Sequence, residues 1–338
     1  DCPLNSRLVV HGEMSGNGKV NKVYGWILES GTILKKKYKI IKMIGKGGFG
    51  ATYLAEDESL FNQLRAIKEI PLAICDSKED EFLTLLNHPS IPRLYERFNY
   101  KRFHYSVMEY IEGESLEDIV KKNIGGLNEA SILNYASQMC DVLDHIHSKN
   151  VVHRDLKPEN ILVRKDNSIS LIDFGISKEY ISGQETRHLA RAASYAYSSP
   201  EQYQGGKGNT DFKSDIYSFG AILYYLATGV EPKDALSRTT NMDISPLPGN
   251  LNKTISKRLE QVIIKAMKMK KKSRFKSIRE MQNALSHNGK TTAQKICPHC
   301  KTLIEVGNRY CPNCGSSTKP VKKTSTPPFV FPSQKKAY

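Results

Sequence analysis

Two stretches decide how this chain is interpreted: His153-Arg154-Asp155-Leu156-Lys157-Pro158-Glu159-Asn160 and, thirteen residues after that asparagine, Asp173-Phe174-Gly175. Together they supply a carboxylate that can accept a hydroxyl proton, a lysine that can meet a phosphate, and an amide and a carboxylate that can hold a metal ion. Phosphoryl transfer needs such groups because the protein mainly positions the reactants and screens their negative charge. The two stretches therefore point to phosphoryl-transfer chemistry.

A glycine-rich segment lies upstream, Gly45-Lys46-Gly47-Gly48-Phe49-Gly50. Taken alone, this pattern is weak, because it could also open a helix in a dinucleotide-binding fold or form a simple turn. Strand-like sequence stands on both sides of it, so we predict a β-hairpin. Its glycines let the backbone approach phosphates without a side-chain clash.

Lys68 follows on a third predicted strand, 64–70, at a spacing that could return it to the same phosphates. A lysine at the end of a strand is usually just exposed to solvent, and a rigid position requires a carboxylate partner. A helical pattern over 77–87 offers Glu79 as the predicted partner, with Glu81 on another face of the helix as the alternative.

Strands come first and helices afterwards, which favours an α+β chain with two lobes. The predicted helices cover 127–148 with Asn128 as N-cap, 213–228 as a buried helix, 256–269 and 277–286. We predict five segments: a weakly structured leader, a large domain with an N-lobe and a C-lobe, a linker, a small cysteine-rich module, and a disordered basic tail. Their bounds are 1–37, 38–286 (lobes 38–111 and 112–286), 287–295, 296–315 and 316–338.

Composition fits a soluble globular protein, with 39% hydrophobic and 25% charged residues. The formal net charge is +15, and nine Lys or Arg against one Glu from His287 onward place +8 of it in the C-terminal part. We find no apolar run of the ~18–20 residues that a membrane span needs and no signal peptide. A cytoplasmic location is the expectation.

Residues Tyr38 to Ser286 resemble the eukaryotic-like (Hanks-type) serine/threonine protein kinases, and most of all their bacterial members. The resemblance implies a bilobal fold with a β-rich N-lobe, and transfer of the ATP γ-phosphate to protein Ser or Thr hydroxyls, with autophosphorylation. It also implies Mg²⁺ or Mn²⁺ as cofactor. The alternative is a nucleotide-sensing scaffold of the same fold that recruits partners through its cysteine-rich module.

The resemblance assigns a role to each matching residue. Asp155 would be the catalytic base and Lys157 would stabilise the transferred group, which marks the serine/threonine branch. Asn160 and Asp173 would hold the metal ion, and Lys68, paired with Glu79, would bind the α- and β-phosphates. The positions that would contact ATP are Ile44, Gly45, Lys46, Gly47, Gly48, Phe49, Gly50, Thr52, Ala66, Lys68, Met108, Glu109, Ile111 and Leu162.

Other matches are structural. Asp215 would brace the loop that carries Asp155, and Glu201 would pair with Arg274. A hydrophobic spine would join the lobes through His153, Phe174, Leu83 and Leu94. The chain departs from the family at Thr52 (usually Val), Ala193-Ser194 (usually Gly-Thr) and Ser199 (usually Ala). No departure removes a catalytic group, so we predict an active enzyme.

The activation segment, 173–201, contains Ser182, Thr186 and Ser194 as candidate regulatory positions, with Thr186 favoured for phosphorylation. In the family an arginine placed like Arg154 often receives such a phosphate, which would order the segment by charge-assisted hydrogen bonds. A segment that is ordered without modification is the alternative.

Two cysteine pairs form the second strong motif, Cys297-x-x-Cys300 and, after ten intervening residues, Cys311-x-x-Cys314. Four thiolates from two knuckles can close a tetrahedral Zn²⁺ site with Zn–S distances of about 2.3 Å. The segment resembles a zinc ribbon, and full coordination by cysteine favours a structural role. Iron or a redox pair of thiols is the alternative.

Lysine runs at 268–272 and 319–323 could meet nucleic acid or acidic partners through counterion release. A solvated basic face is the commoner explanation, because aromatic residues are sparse beside the tail run. We therefore expect protein substrates as the main partners, with self-association for autophosphorylation, and keep nucleic acid as the less favoured option.

Overall fold

The computed structural model describes residues 6–14, 20–47, 50–73, 75, 78–173, 196–203, 210–239, 245–286, 294–297, 299–300 and 303–305. Side chains are described within these ranges except at 6–27, 78–79, 82, 239, 294–296 and 303–305. The chain divides into two compact units, residues 1–285 and 286–338, and each is described by itself.

An antiparallel hairpin begins the first unit. Strand β1 (Ser6–Met14) pairs with β2 (Val20–Leu28), with Ser6 opposite Leu28 and Met14 opposite Val20. The weakly structured leader expected over 1–37 thus differs from the structure. The missed signal is Asn17-Gly18, a dipeptide that favours tight turns, between runs rich in strand-forming residues.

A six-stranded antiparallel sheet follows, with strand order β3-β4-β5-β6-β8-β7. Its strands are β3 (Ile33–Leu34), β4 (Tyr38–Gly47), β5 (Gly50–Asp57), β6 (Gln63–Pro71), β7 (Leu94–Tyr100) and β8 (Phe103–Glu109). Helix α1 (Lys78–Leu85) connects β6 to β7. This is the predicted N-lobe, a sheet with one helix.

The sheet curls until its two edges meet at Glu96. This β7 carboxylate binds Lys37 Nζ at 2.8 Å, Tyr38 Oη at 2.6 Å and Lys35, all from the β3–β4 edge. Burial alone would raise the pKa of Glu96, but these hydrogen bonds lower it to about 2. The lysines that end the expected leader therefore close the curled sheet.

A polar group lies within the core of this sheet. The core is built from side chains such as Tyr53, Ile67 and Val107, which are fully buried. Among them Glu69 of β6 accepts hydrogen bonds from Tyr105 Oη at 2.7 Å and Tyr53 Oη at 3.5 Å. Burial raises the pKa of Glu69 to about 7, although both hydrogen bonds act in the opposite direction.

The rest of the first unit is mainly helical. A three-stranded sheet, ordered β11-β10-β9, joins β9 (Glu114–Ser115), β10 (Ile161–Val163) and β11 (Ile169–Leu171). The helices are α2 (Leu116–Lys121), α3 (Glu129–Ser148), α4 (Phe212–Thr228), α5 (Ala235–Thr239), α6 (Pro248–Leu251), α7 (Lys257–Ala266) and α8 (Ile278–Ser286). Asn128 caps α3 through a 2.9 Å bond from Ser131 N, which confirms the predicted helix start.

Helix α4 is the centre of this lobe, since every residue from Ser214 to Thr228 is buried. Gly220 lets it approach α7 closely, because a Cβ there would lie 2.6 Å from Ala266 Cβ. The apolar run that the sequence marks as a buried helix therefore forms the core of the C-lobe. Among the described helices, none is long and apolar enough to cross a membrane.

The second unit contains a short hairpin, in which β12 (Gln294–Ile296) pairs with β13 (Leu303–Glu305) in antiparallel fashion. Strand β12 begins inside the predicted linker, and the first cysteine knuckle lies between the two strands. The predicted disordered tail, 316–338, lies outside the described residues.

Candidate active site

The glycine-rich segment forms the turn between β4 and β5. Gly45 lies opposite Thr52 and Gly47 opposite Gly50, so the segment is a hairpin and does not open a helix. A Cβ on Gly50 would lie 1.9 Å from the Glu69 carbonyl oxygen, so only glycine permits this approach. Gly48 and Phe49 lie outside the described residues.

Lys68 lies in the middle of the sheet, opposite Thr52 on β5 and Ser106 on β8. Its Nζ is 2.6 Å from Asp173 Oδ1, which joins residues 105 positions apart in the chain. The predicted partner Glu79 lies in α1, and its side chain is outside the described residues; the alternative, Glu81, is exposed. The structure thus brings together Lys68, of the predicted phosphate site, and Asp173, of the predicted metal site.

The predicted catalytic loop, residues 153–160, is held by one buried carboxylate from α4. Asp215 accepts hydrogen bonds from the backbone N–H groups of His153 at 2.9 Å and Arg154 at 3.0 Å, and from His147 Nε2 at 2.8 Å. Arg154 has φ of 67°, a left-handed conformation that these bonds stabilise. The geometry matches the bracing role that the sequence suggests for Asp215.

Asn160 connects the catalytic loop to the second motif. Its Nδ2 donates to the Asp155 carbonyl at 3.0 Å and to Asp155 Oδ2 at 3.4 Å. The backbone carbonyl of Asn160 accepts a hydrogen bond from the backbone N–H of Ile172 at 2.8 Å. Ile172 directly precedes Asp173 in the chain. The two predicted metal-binding residues are therefore linked by a single backbone hydrogen bond and one peptide unit.

Lys157 lies in the same loop, and its Nζ is 2.6 Å from Glu159 Oε2. Burial alone would lower the pKa of Lys157, but Glu159, Asp155 and Asp173 raise it above its ordinary value. The lysine therefore carries its positive charge beside these three carboxylates, as a group that meets phosphate oxygens requires.

The expected adenine region lies where the two lobes join. Ala66 is directly opposite Met108, and Glu109 N donates to the Arg93 carbonyl at 2.9 Å. Ile111 is buried, while Ile44 is exposed. Leu162 lies on β10 opposite Ser115, so the two sheets each supply candidate ATP contacts.

A buried ion pair fixes the end of the activation segment. Arg274 Nη1 and Nη2 lie 2.8 and 2.9 Å from the two oxygens of Glu201, which also accepts from Ser214 Oγ at 2.6 Å. Burial alone would raise the pKa of Glu201, but Arg274 and Ser214 hold it below its usual value. These are the two residues that the sequence pairs.

Gln202 is a residue that sequence reasoning missed. Its Oε1 accepts from Ser199 N at 2.8 Å and Ser199 Oγ at 3.0 Å, and its Nε2 donates to the Arg154 carbonyl at 2.7 Å. Ser199, where the family usually has Ala, thus has hydrogen bonds of its own. The signal was available as Ser199-x-x-Gln202, the pattern of a helix capping box.

Several predicted positions lie outside the described residues, namely Phe174, Ser182, Thr186 and Ser194. Of the other spine residues, His153 and Leu83 are buried and Leu94 packs against the C-lobe core.

The cysteine module is described in part. Cys297 is fully buried and Cys300 packs against it, which suits two ligands of one knuckle. Cys311 and Cys314 lie outside the described residues, and among those described no group of three or more His, Cys, Asp or Glu side chains could hold a metal ion. Two of the four predicted zinc ligands are therefore side by side.

Comparisons with known proteins agree with this geometry. The family described as "Protein kinase domain" matches residues 38–288. A probable serine/threonine-protein kinase of Clostridium acetobutylicum is 33% identical over 270 residues, covering 76% of this chain and 40% of that protein. Serine/threonine-protein kinase PrkC of Bacillus subtilis is 31% identical over 265 residues, covering 75% and 40%. The chain therefore spans 40% of the length of these two curated relatives.

A solved structure titled "PpkA-294 apo form" superposes with a TM-score of 0.65 at 23% identity, covering 77% of this chain and 99% of that one. At this identity the likeness concerns the fold, which is the curled sheet joined to a helical lobe.

Proposed function

The chain belongs to the protein kinase family, and on that premise we propose that it transfers the γ-phosphate of ATP to Ser or Thr hydroxyls of proteins, itself included. The observation that carries the proposal is the pairing of four charged or amide side chains. Lys68 contacts Asp173, and Asn160 donates a hydrogen bond to Asp155. The named relatives are serine/threonine kinases, and Lys157 is the residue that marks this branch.

The proposed mechanism assigns one task to each residue. Asp155 accepts the proton of the attacking hydroxyl, and its carboxylate is oriented by Asn160 Nδ2. Lys157 meets the oxygens of the transferred group, and Lys68 binds the α- and β-phosphates beneath the glycine turn. Asn160 and Asp173 would hold Mg²⁺ or Mn²⁺, which neutralises phosphate charge when bound.

Lys68 and Asp173 form an ion pair in which Lys68 Nζ lies 2.6 Å from Asp173 Oδ1. Each of the two charges can also serve a bound nucleotide, the lysine through phosphate oxygens and the carboxylate through a metal ion. Bound phosphates and metal would take over as partners of the lysine and the carboxylate respectively.

We propose further that Thr186 is the phosphorylation site of the activation segment and that Arg154 receives the phosphate. We also propose that Cys297, Cys300, Cys311 and Cys314 hold a structural Zn²⁺ in the C-terminal unit. The packing of Cys297 on Cys300 supports the zinc site. A segment this small has little core, so the metal would supply most of its folding free energy.

The experiment that tests the function combines two readouts on the purified chain with Mg-ATP: nucleotide binding and transfer of labelled γ-phosphate to itself and to a generic protein. We expect binding and label on serine or threonine. Binding without transfer, with Thr186→Glu also inactive, would favour the nucleotide-sensing scaffold. Absence of binding would contradict both functions.

A further inference from the structure

A buried polar cluster fastens helix α1 to the sheet. Asp80, which is 3% exposed, accepts hydrogen bonds from Ser106 Oγ at 2.7 Å and His104 Nε2 at 2.6 Å. Both partners belong to β8 and are themselves buried. We call Asp80, His104 and Ser106 the anchor cluster. None of the catalytic roles described above uses these residues.

His104 contacts Asp80 on one side and Asn99 on the other. Its Nε2 lies 2.6 Å from Asp80 Oδ2, and its Nδ1 lies 2.7 Å from Asn99 Oδ1. Removing one partner of a buried hydrogen bond leaves the other polar group unsatisfied, which costs free energy. These contacts therefore hold the Asp80 side chain at one position against β8.

That position lies beside the phosphate-binding lysine. In the β6–β8 ladder Ser106 is directly opposite Lys68, and His104 is opposite Ile70. Side chains of directly opposite residues lie on the same face of a sheet and contact each other. The anchor cluster thus attaches α1 to the strand positions that border Lys68.

Helix α1 needs such an attachment. It has eight residues, and a helix this short is marginal without tertiary contacts. In its acidic run, 79–81, Asp80 is buried and Glu81 is exposed. A buried, hydrogen-bonded Asp80 fixes the rotation of the helix about its axis, and with it the backbone position of Glu79.

We propose that the anchor cluster is a positioning device for nucleotide binding and phosphoryl transfer: it sets the rotation and distance of α1 relative to Lys68. The inference rests on the proposed kinase function and deepens it. Asp80 is a positioning residue, which touches neither nucleotide nor metal. Loss of its carboxylate leaves the fold in place and lets α1 rotate or withdraw, so that Lys68 loses its fixed environment.

The test compares Asp80→Asn with Glu96→Gln in the full chain. Both changes turn a carboxylate of the N-lobe into an amide and weaken several hydrogen bonds, but Glu96 contacts neither α1 nor the face that carries Lys68. Steady-state kinetics with ATP varied, and urea unfolding, are measured on both. We expect Asp80→Asn to lower kcat/KM for ATP roughly 10- to 100-fold, as misplacement of positioning groups does. Glu96→Gln loses stability and keeps its kinetics.

Ser106→Ala is the second variant, because it removes one hydrogen bond and keeps the contact between Asp80 and His104. It should lower kcat/KM in the same direction by a smaller factor, and its effect should not add to that of Asp80→Asn, since both act through one contact. Wild-type kinetics in folded Ser106→Ala and Asp80→Asn would overturn the proposal. So would an equal kinetic loss in Glu96→Gln, which would show a general effect of N-lobe stability.

The failure of the proposed function would look different. If wild type transfers no phosphate, ATP affinity measured by calorimetry still decides the anchor proposal. Weaker ATP binding by Asp80→Asn than by Glu96→Gln supports it, and equal binding by all three proteins overturns it.

Discussion

At the scale of single residues, one carboxylate often holds several parts of the molecule. Asp215 receives three donors, two of them backbone N–H groups of the catalytic loop. Glu96 in the same way joins the two edges of the curled sheet. The role of Asp215 could be predicted from the sequence, through the family pattern. The roles of Glu96 and Asp80 could not be predicted, because their hydrogen-bond partners lie 24 to 61 positions away in the chain and only tertiary packing brings the partners together.

Asp215→Asn should disturb the catalytic loop. An amide presents N–H groups where the loop offers donors, so at least one hydrogen bond is lost and one donor is left facing another. We expect kcat to fall roughly 10- to 100-fold and the free energy of unfolding to fall by about 1–3 kcal/mol. Steady-state kinetics and urea unfolding measure both. Asp144→Asn, which loses a surface pair with Arg279, is the control; equal kinetics in the two variants would contradict the bracing role.

Glu69 should make stability depend on pH. Its pKa is raised from 4.5 to about 7 in the folded chain, so between these values the folded state holds a proton that the unfolded state has lost. Stability contributed by this group is therefore present below about pH 4.5 and is lost as pH rises to about 7. Glu69→Gln should flatten this part of the profile and be more stable than wild type at pH 8, as measured by thermal unfolding from pH 5 to 8. An unchanged slope would contradict the raised pKa.

At the scale of elements, the sequence predicted the helix starts and the hairpin that depend only on residues close together in the chain. Asn128 caps helix α3, as the sequence predicts, and Ser256, the first residue of the predicted helix 256–269, caps helix α7. The β4–β5 hairpin followed from glycines between strand-like runs. The β1–β2 hairpin differs from the weakly structured leader expected over 1–37, although the sequence contains Asn17-Gly18, a dipeptide that favours tight turns. The anchoring of α1 had no local signal.

The turn at Pro200–Gln202 should couple to the catalytic loop through Gln202. Gln202→Ala removes the bonds to Ser199 and to the Arg154 carbonyl, so the backbone that precedes Asp155 loses support. We expect kcat to fall about tenfold, which corresponds to ~1.4 kcal/mol, in steady-state assays. Gln138→Ala is a matched control, because Gln138 also bridges two backbone groups, at Asn167 and Ile169, away from the catalytic loop. A drop of the same size in both variants would contradict a specific coupling.

At the scale of the whole molecule, the chain combines a kinase unit with a second unit that carries a cysteine module. The family match covers 38–288 and ends before the first knuckle at Cys297. The fold of the first unit was largely predictable, because several motifs with fixed spacing had to agree. The second unit was predictable only as a metal-binding pattern, since so short a segment has too little apolar sequence to define a core.

The zinc proposal belongs to this scale. Cys297→Ser should abolish bound zinc in the purified full chain, because a tetrahedral thiolate site does not survive the loss of a ligand. Metal analysis should give about one zinc per wild-type chain, and Cys2→Ser, outside the motif, should match wild type. Wild type without zinc, or with iron in its place, would contradict the assignment.

The role of Asp155 in phosphoryl transfer has a direct test. Initial rates of γ-phosphate transfer are compared for wild type, Asp155→Asn and Asp166→Asn. Asp166 is an exposed carboxylate eleven residues further along the chain, in the β10–β11 turn. We expect transfer to serine or threonine by wild type and Asp166→Asn, and none by Asp155→Asn, with ATP binding kept in all three. Transfer by Asp155→Asn at the wild-type rate would contradict this role of Asp155.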